Sequence, residues 1–367
     1  MEHLRCFFVC FCLFLFMGTA LAYCEINKNI LDSNYLFYYK DVNNKYQLQL
    51  SDRVALNHKV YMACGNQPIL QLTCILDLSR QKYTFDHAFP RNSCDQNKIT
   101  IKSDRPVVAG ACETPNIMHH IGFRLQTEFI ELYRTCFNDV LKTVKFTIHL
   151  ISDSSHTATR SSQFRPDGVL TPAQFDVYRR DGVFACFQRE LGNGQSYVQK
   201  SRCSIHRGHL VPNKDFPFHM QQDATFSSRN YVPQSQNRNQ GSWKVVENWV
   251  RDLAKSNPNR ILKVCTGTLN VLELESTSNV MTEVFLWREP TALQIPIPKW
   301  MYKIVDYRYV SLTYNDQFST TAPNPQMLNI CNPDSCGGLD LTNRPFTFCC
   351  NYQHFITSVV PYLYGLC

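Results

Sequence analysis

In the segment Ser204-Ile205-His206-Arg207-Gly208-His209-Leu210-Val211-Pro212-Asn213 an arginine and a histidine flank one glycine. An amide-rich run follows downstream, from Asn230-Tyr231-Val232-Pro233-Gln234 through Asn237-Arg238-Asn239-Gln240-Gly241 to Trp243, with Glu247 just beyond. An imidazole that titrates near neutrality can take a proton from water. A guanidinium can hold two phosphate oxygens at once, and an amide oxygen is a hard donor suited to a divalent cation. Together these are the parts of a metal-assisted phosphodiesterase.

Other chemistry fits some of the same residues. Cys203, His206 and His209 have the donor types of a zinc site, although an oxidising compartment would favour Cys203 as a disulfide partner. Asn239 is also suited to capping the helix that follows, and Glu247 to a solvated helix face. His119-His120 and Arg179-Arg180 read as packing or solvated pairs, and Trp243 and Trp249 as core residues at helical spacing.

The elements that must position these groups are partly legible. Lys45–Ser51 and Lys98–Lys102 alternate polar and apolar residues as half-buried strands do. Leu125, Phe129, Leu132 and Cys136 fall at helical spacing and predict a helix. Val144, Phe146, Ile148 and Leu150 alternate as a strand, and the polar stretch from Ser152 to Arg165 is a loop. Trp243, Val246, Val250 and Leu253 mark an amphipathic helix over about Gly241–Lys255, stopped near Pro258. Asn239 then sits at or just before the helix start, with Glu247 one turn beyond Trp243. Ile261–Cys265 reads as a buried strand entering Thr266-Gly267-Thr268, Ile295–Trp300 as a rigid extended connector, and Lys303–Val310 as a further strand.

The 367 residues suffice for one large domain or two ordinary ones. An apolar fraction of 44% and a charged fraction of 18% exclude a disordered chain. The formal charge of +7 favours a polyanionic partner only mildly. Arg5, the apolar run Cys6–Met17 and Ala20-Leu21-Ala22 have the pattern of a secretory leader over residues 1–22, too short for an ordinary spanning helix. A secreted, extracellular protein without a membrane anchor is expected. Fourteen cysteines follow the leader, so up to seven disulfides are expected, with adjacent Cys349 and Cys350 finding separate partners.

The ordered set Arg207-Gly208-His209, Pro212, Asn230, Pro233-Gln234, Asn239, Gly241, Trp243 and Glu247 resembles the secreted DNA/RNA non-specific endonucleases of the ββα-metal (His-Me finger) superfamily. It is most similar to their arthropod extracellular branch, as are Thr266-Gly267-Thr268 and Ile295–Lys299. The resemblance implies an α+β fold. Its ββα-metal core would sit on a mixed, mostly antiparallel sheet over residues 111–367, preceded by a small disulfide-linked all-β region over 23–110. It also implies that His209 is the general base and that Asn239 is the single protein ligand of Mg²⁺, with Mn²⁺ able to substitute. Arg207 would contact the phosphate. Glu247 and Asn230 would orient metal waters and the site around them, and Arg165 would be a further phosphate contact. DNA and RNA are the implied partners, cleaved to leave 5′-phosphate ends. Many family members have aspartate where this chain has His206, and a protonated His206 beside Arg207 would alter the titration of His209. The alternatives are a nucleic-acid-binding protein on the nuclease fold with weak or no activity, and a disulfide-rich ligand binder that keeps only the scaffold.

Overall fold

A computed structural model describes residues 22–95, 97–104, 112, 114–159, 162–258 and 260–367. Apart from Ala22, the expected leader lies outside the described residues. Near the N-terminus a five-stranded antiparallel sheet is built from β1 (Leu36–Lys40), β2 (Tyr46–Leu48), β3 (Lys59–Ala63), β4 (Leu70–Asp77) and β5 (Lys82–Phe85), in the order β2-β1-β3-β4-β5. Its first strand is buried on both faces. Phe37 joins a core with Val60, Met62 and Leu72, whereas Leu36 and Tyr38 pack against Ile121, Phe123 and Tyr133 of the next sheet.

That next sheet has eight strands. They are β6 (Ile99–Asp104), β7 (Asn116–Leu125), β8 (Glu128–Asn138), β9 (Thr143–Ile151) and, after the hairpin β10 (Ile205–His209) and β11 (Tyr231–Ser235), β12 (Leu262–Val271), β13 (Pro298–Val305), β14 (Tyr309–Tyr314) and β15 (Thr347–Asn351). Every neighbouring pair in the order β15-β14-β13-β12-β9-β8-β7-β6 is antiparallel. The fold is therefore α+β with few helices, as the resemblance implies. The strand at Lys98–Lys102 is present as β6, but it joins this large sheet rather than the N-terminal one.

The hairpin runs straight into two helices, α1 (Gln236–Gln240) and α2 (Ser242–Lys255), completing a ββα unit. The apolar stripe of α2 lays Val246, Trp249 and Val250 against Val264 and Val305 on one face of the sheet. The alternate residues Cys265 and Ile304 face the C-terminal turns, beside Phe355, Ile356 and Val360. A central strand covered on both faces has no polar side, which accounts for the near-continuous apolar run in Ile261–Cys265.

Two expectations change. The helix read over Leu125–Cys136 is instead the hairpin β7–β8. A β-bulge between Glu131 and Tyr133 shifts the phase of the strand, so its buried residues lose strict alternation and imitate helical spacing. The single strand read over Lys303–Val310 is two strands, β13 and β14. They meet at a three-residue turn, Asp306–Arg308, where Asp306 and Tyr307 have positive φ, 54° and 57°, and Arg308 N donates to the Val305 carbonyl at 3.1 Å.

Six disulfides form among the described residues, pairing Cys24–Cys74, Cys64–Cys94, Cys112–Cys136, Cys265–Cys367, Cys331–Cys350 and Cys336–Cys349. Cys349 and Cys350 take separate partners as expected. No seventh bridge forms among the described residues: Cys186 and Cys203 are buried thiols, contrary to the disulfide reading of Cys203. Burial pushes them up to about 12 and about 11 respectively, and Cys186 donates to the Phe285 carbonyl at 2.8 Å.

Candidate active site

The β10–β11 hairpin pairs Arg207 with Pro233, Gly208 with Val232 and His209 with Tyr231. Side chains alternate along a strand, so Arg207 and His209 share one face and His206 takes the other. Glycine between them is a packing requirement: a Cβ on Gly208 would stand 2.2 Å from Gln234 Oε1 and 2.6 Å from Gln234 Cβ.

On the first face the two groups sit among aromatic rings. The Arg207 guanidinium lies 4.1 Å from the Phe175 ring centre and 4.8 Å from that of Tyr178, and it donates to the Phe175 carbonyl. Phe175 is held there by the short helix Pro172–Asp176, whose start carries a reciprocal cap between Thr171 and Gln174. The His209 ring is flanked by Phe164 and Phe226, each 4.8 Å away between centres.

The second face joins the hairpin to α1. Asn239 donates through Nδ2 to His206 Nδ1 at 3.1 Å, so His206 presents a lone pair there. Burial lowers the pKa of His206, which favours the neutral ring this bond needs and removes the repulsion against Arg207 that a charged ring would bring. Asn239 Oδ1 has no protein partner among the described residues. Gln234, cross-strand from His206, keeps both amide atoms buried without a protein partner among the described residues. Buried polar atoms are normally satisfied, so the hairpin face beside Asn239 has unmet hydrogen-bonding capacity. A hydrated divalent cation on Asn239 Oδ1 would meet it, and the donor set fits a hard cation that keeps its waters. No three His, Cys, Asp or Glu side chains converge as a metal-holding group among the described residues.

Asn230 departs from its expected part in orienting water. It is fully buried, and its side chain accepts from Val211 N at 2.9 Å and donates to the carbonyls of Val211 at 2.9 Å and Thr225 at 2.8 Å. Its own carbonyl accepts from Leu210 N. Asn230 therefore fixes the backbone that leaves His209. Arg165 is engaged by Asp223 at 3.0 Å and Asp167 at 3.4 Å, so its charge is already neutralised by carboxylates.

Glu247 on α2 faces a buried charged cluster that sequence reasoning missed. Lys303, fully buried, donates to Thr266 Oγ1 at 2.7 Å and to the Leu210 carbonyl at 3.3 Å, with its ammonium 5.2 Å from the Trp243 ring centre. Asp215 accepts from Arg251 at 2.8 Å and pairs with His149 at 2.9 Å. Burial pushes Glu247 up to about 7, opposed by Lys303. Burial likewise brings Lys303 down to about 8 against the pull of Asp215 and Glu247. For Asp215, the His149 hydrogen bond and Arg251 outweigh burial and hold the carboxyl below its usual range. Only tertiary folding brings together residues as far apart in sequence as His149 of β9, Lys303 of β13 and Asp215 of the turn after His209. The one local signal was a lysine inside an apolar strand, Trp300–Val305.

A sequence profile of the DNA/RNA non-specific endonuclease family matches residues 115–354. A salivary endonuclease of Lutzomyia longipalpis is 27% identical over 273 residues, covering 72% of this chain and 65% of that protein's length. Among solved structures, a chain of the EndoG/EndoGI complex aligns with a TM-score of 0.37 and 17% identity, over 56% of this chain and 81% of that one.

Proposed function

The chain belongs to the DNA/RNA non-specific endonuclease family, and from that premise we propose that it is a secreted, Mg²⁺-dependent endonuclease cutting DNA and RNA with little regard for sequence or sugar. The observation that carries this is the hairpin with α1. It sets Arg207 and His209 on one face and, from the opposite face, turns the Asn239 amide through His206 with Oδ1 open, so a phosphate engaged by all three would span the edge of the hairpin.

In this reading His209 takes the proton from the attacking water, held between Phe164 and Phe226 and fixed from behind by Asn230 and Lys303 at Leu210 and Val211. Arg207, oriented by its aromatic neighbours, engages the scissile phosphate. Asn239 holds Mg²⁺, or Mn²⁺ in its place, through Oδ1, and Glu247 with Gln234 orders the surrounding water. The cation, when bound, neutralises charge on the phosphate and steadies the leaving oxygen. Arg165 reaches a phosphate only by exchanging Asp223 and Asp167. Six disulfides, and a salivary relative, support secretion.

Purified protein incubated with plasmid DNA and with double-stranded RNA, in Mg²⁺ or EDTA, tests the reading. Metal-dependent cleavage of both is expected. His209→Ala should lose turnover by at least about 10²-fold, the lower range for a lost general base, while retaining nucleic-acid binding. Full activity in that variant would sink the mechanism, and binding without cleavage by the unmutated protein would select a nucleic-acid-binding role instead.

A further inference from the structure

An open groove of about 1190 Å³ lies where the N-terminal region meets the end of α2, lined by residues of Tyr23–Lys28, β5, the loop 153–156 and Lys255. Lys28, Lys82 and Lys255 are exposed and make no ion pair among the described residues. Four cations line the groove, Lys28, Lys82, Lys255 and Arg53, against two carboxylates, Glu25 and Asp153, which share Arg53 as their partner. What the groove presents to solvent is therefore net positive. Tyr83 on its rim is 41% exposed, and the Tyr23 ring lies 4.7 Å from the Arg53 guanidinium.

The groove is built rather than incidental. Buried Asp52 accepts from Ser154 Oγ, Ser155 N and His156 N at 2.8 to 3.0 Å, and His156 Nδ1 lies 3.1 Å away. This ties the loop from the large sheet to the N-terminal region and fixes the wall before any ligand arrives. The groove shares α2 with the candidate site, Lys255 lining the one and Glu247 belonging to the other. Glu247, Arg251 and Lys255 succeed one another by one turn of α2, a span of about 12 Å at 1.5 Å per residue.

We propose that this groove is a second binding site for the phosphodiester backbone of the polynucleotide, held by Lys28, Lys82 and Lys255 with Tyr23 and Tyr83 available for base contact. The N-terminal sheet, which lies outside the family match, thereby lengthens the footprint of the enzyme on its substrate. The inference rests on the nuclease reading above.

The test is the triple variant K28E/K82E/K255E, checked for an unchanged Tm. With a long duplex such as a 40-mer, KM should rise about tenfold or more at unchanged kcat. The slope of log binding constant against log salt, measured on the His209→Ala background, should flatten by about 2 to 3, since each lost phosphate contact contributes about 0.9. Cleavage of bis(4-nitrophenyl) phosphate, too small to reach the groove, should be unchanged. An unaltered KM and salt slope on the long duplex would overturn the proposal and leave the nuclease reading intact. So would an equal loss on both substrates, which would place the lysines' effect at the catalytic centre. If the unmutated protein neither binds nor cuts polynucleotide, the nuclease reading fails first and this one with it.

Discussion

At the scale of single residues, His206 and Asn230 both act through their neighbours. His206 orients Asn239 by accepting from its amide. On the proposed role of Asn239, His206→Ala should raise the Mg²⁺ concentration needed for half-maximal cleavage by about tenfold or more, the usual cost of losing a partner behind a metal ligand. Thermal stability should barely change, since His206 is only half-buried. An unchanged Mg²⁺ requirement would remove His206 from the metal site. Asn230→Ala should behave in the opposite way. It strands the Val211 amide and the carbonyls of Val211 and Thr225 in the interior, and one stranded buried group costs about 1–3 kcal/mol. A loss of about 3 kcal/mol in urea unfolding is expected, and a loss under about 1 kcal/mol would show that the amide does not hold the loop.

At the scale of elements, the buried pair of β9 and the turn after His209 makes stability depend on pH. His149 is lowered from its ordinary 6.5 by burial, with Asp215 opposing. As pH falls through 6.5 the unfolded chain takes up a proton that the folded chain refuses, so stability falls with acidification. Asp215, held low, keeps its contribution until pH drops below its ordinary 3.8 and so adds no slope above that. Between pH 7.5 and 5, His149→Gln should lose less Tm than the unmutated protein. His119 and His206, also lowered by burial, retain part of that slope, and Glu247, raised to about 7, opposes it because the folded chain takes up that proton first. Identical Tm–pH curves would show that His149 is not held neutral.

The same scale explains what was legible in the sequence. Arg207, His209, Asn239 and Glu247 lie on one local hairpin-helix unit, so their order along the chain is enough to carry the family resemblance on which the candidate site rests, and the helix expected over Gly241–Lys255 matches α2 within one residue. Lys303, Asp215 and His149 converge only after β9, β12 and β13 pair, which no local pattern encodes. That Asn230 holds backbone beside His209 follows from its burial, which a sequence does not display although the residue's type and position are visible in it. The β7–β8 hairpin was misread because one bulge shifts the strand phase.

At the scale of the whole molecule, the covalent framework falls into two sets. Cys24–Cys74 and Cys64–Cys94 close within the N-terminal region, and the other four bridges close after Cys112. A protease site engineered between Asp104 and Cys112 should therefore yield two fragments that separate on a denaturing gel without reductant. A single band until reductant is added would contradict this pairing.

Contacts across the boundary are non-covalent: hydrogen bonds between Asp52 and the loop 154–156, the Arg53–Asp153 ion pair, and packing of Leu36 and Tyr38 against the large sheet. A seam without covalent stitching is one along which descent can shuffle parts. One lineage could replace or trim the leading module without leaving a cysteine orphaned on either side, and the groove with its three lysines lies on that seam.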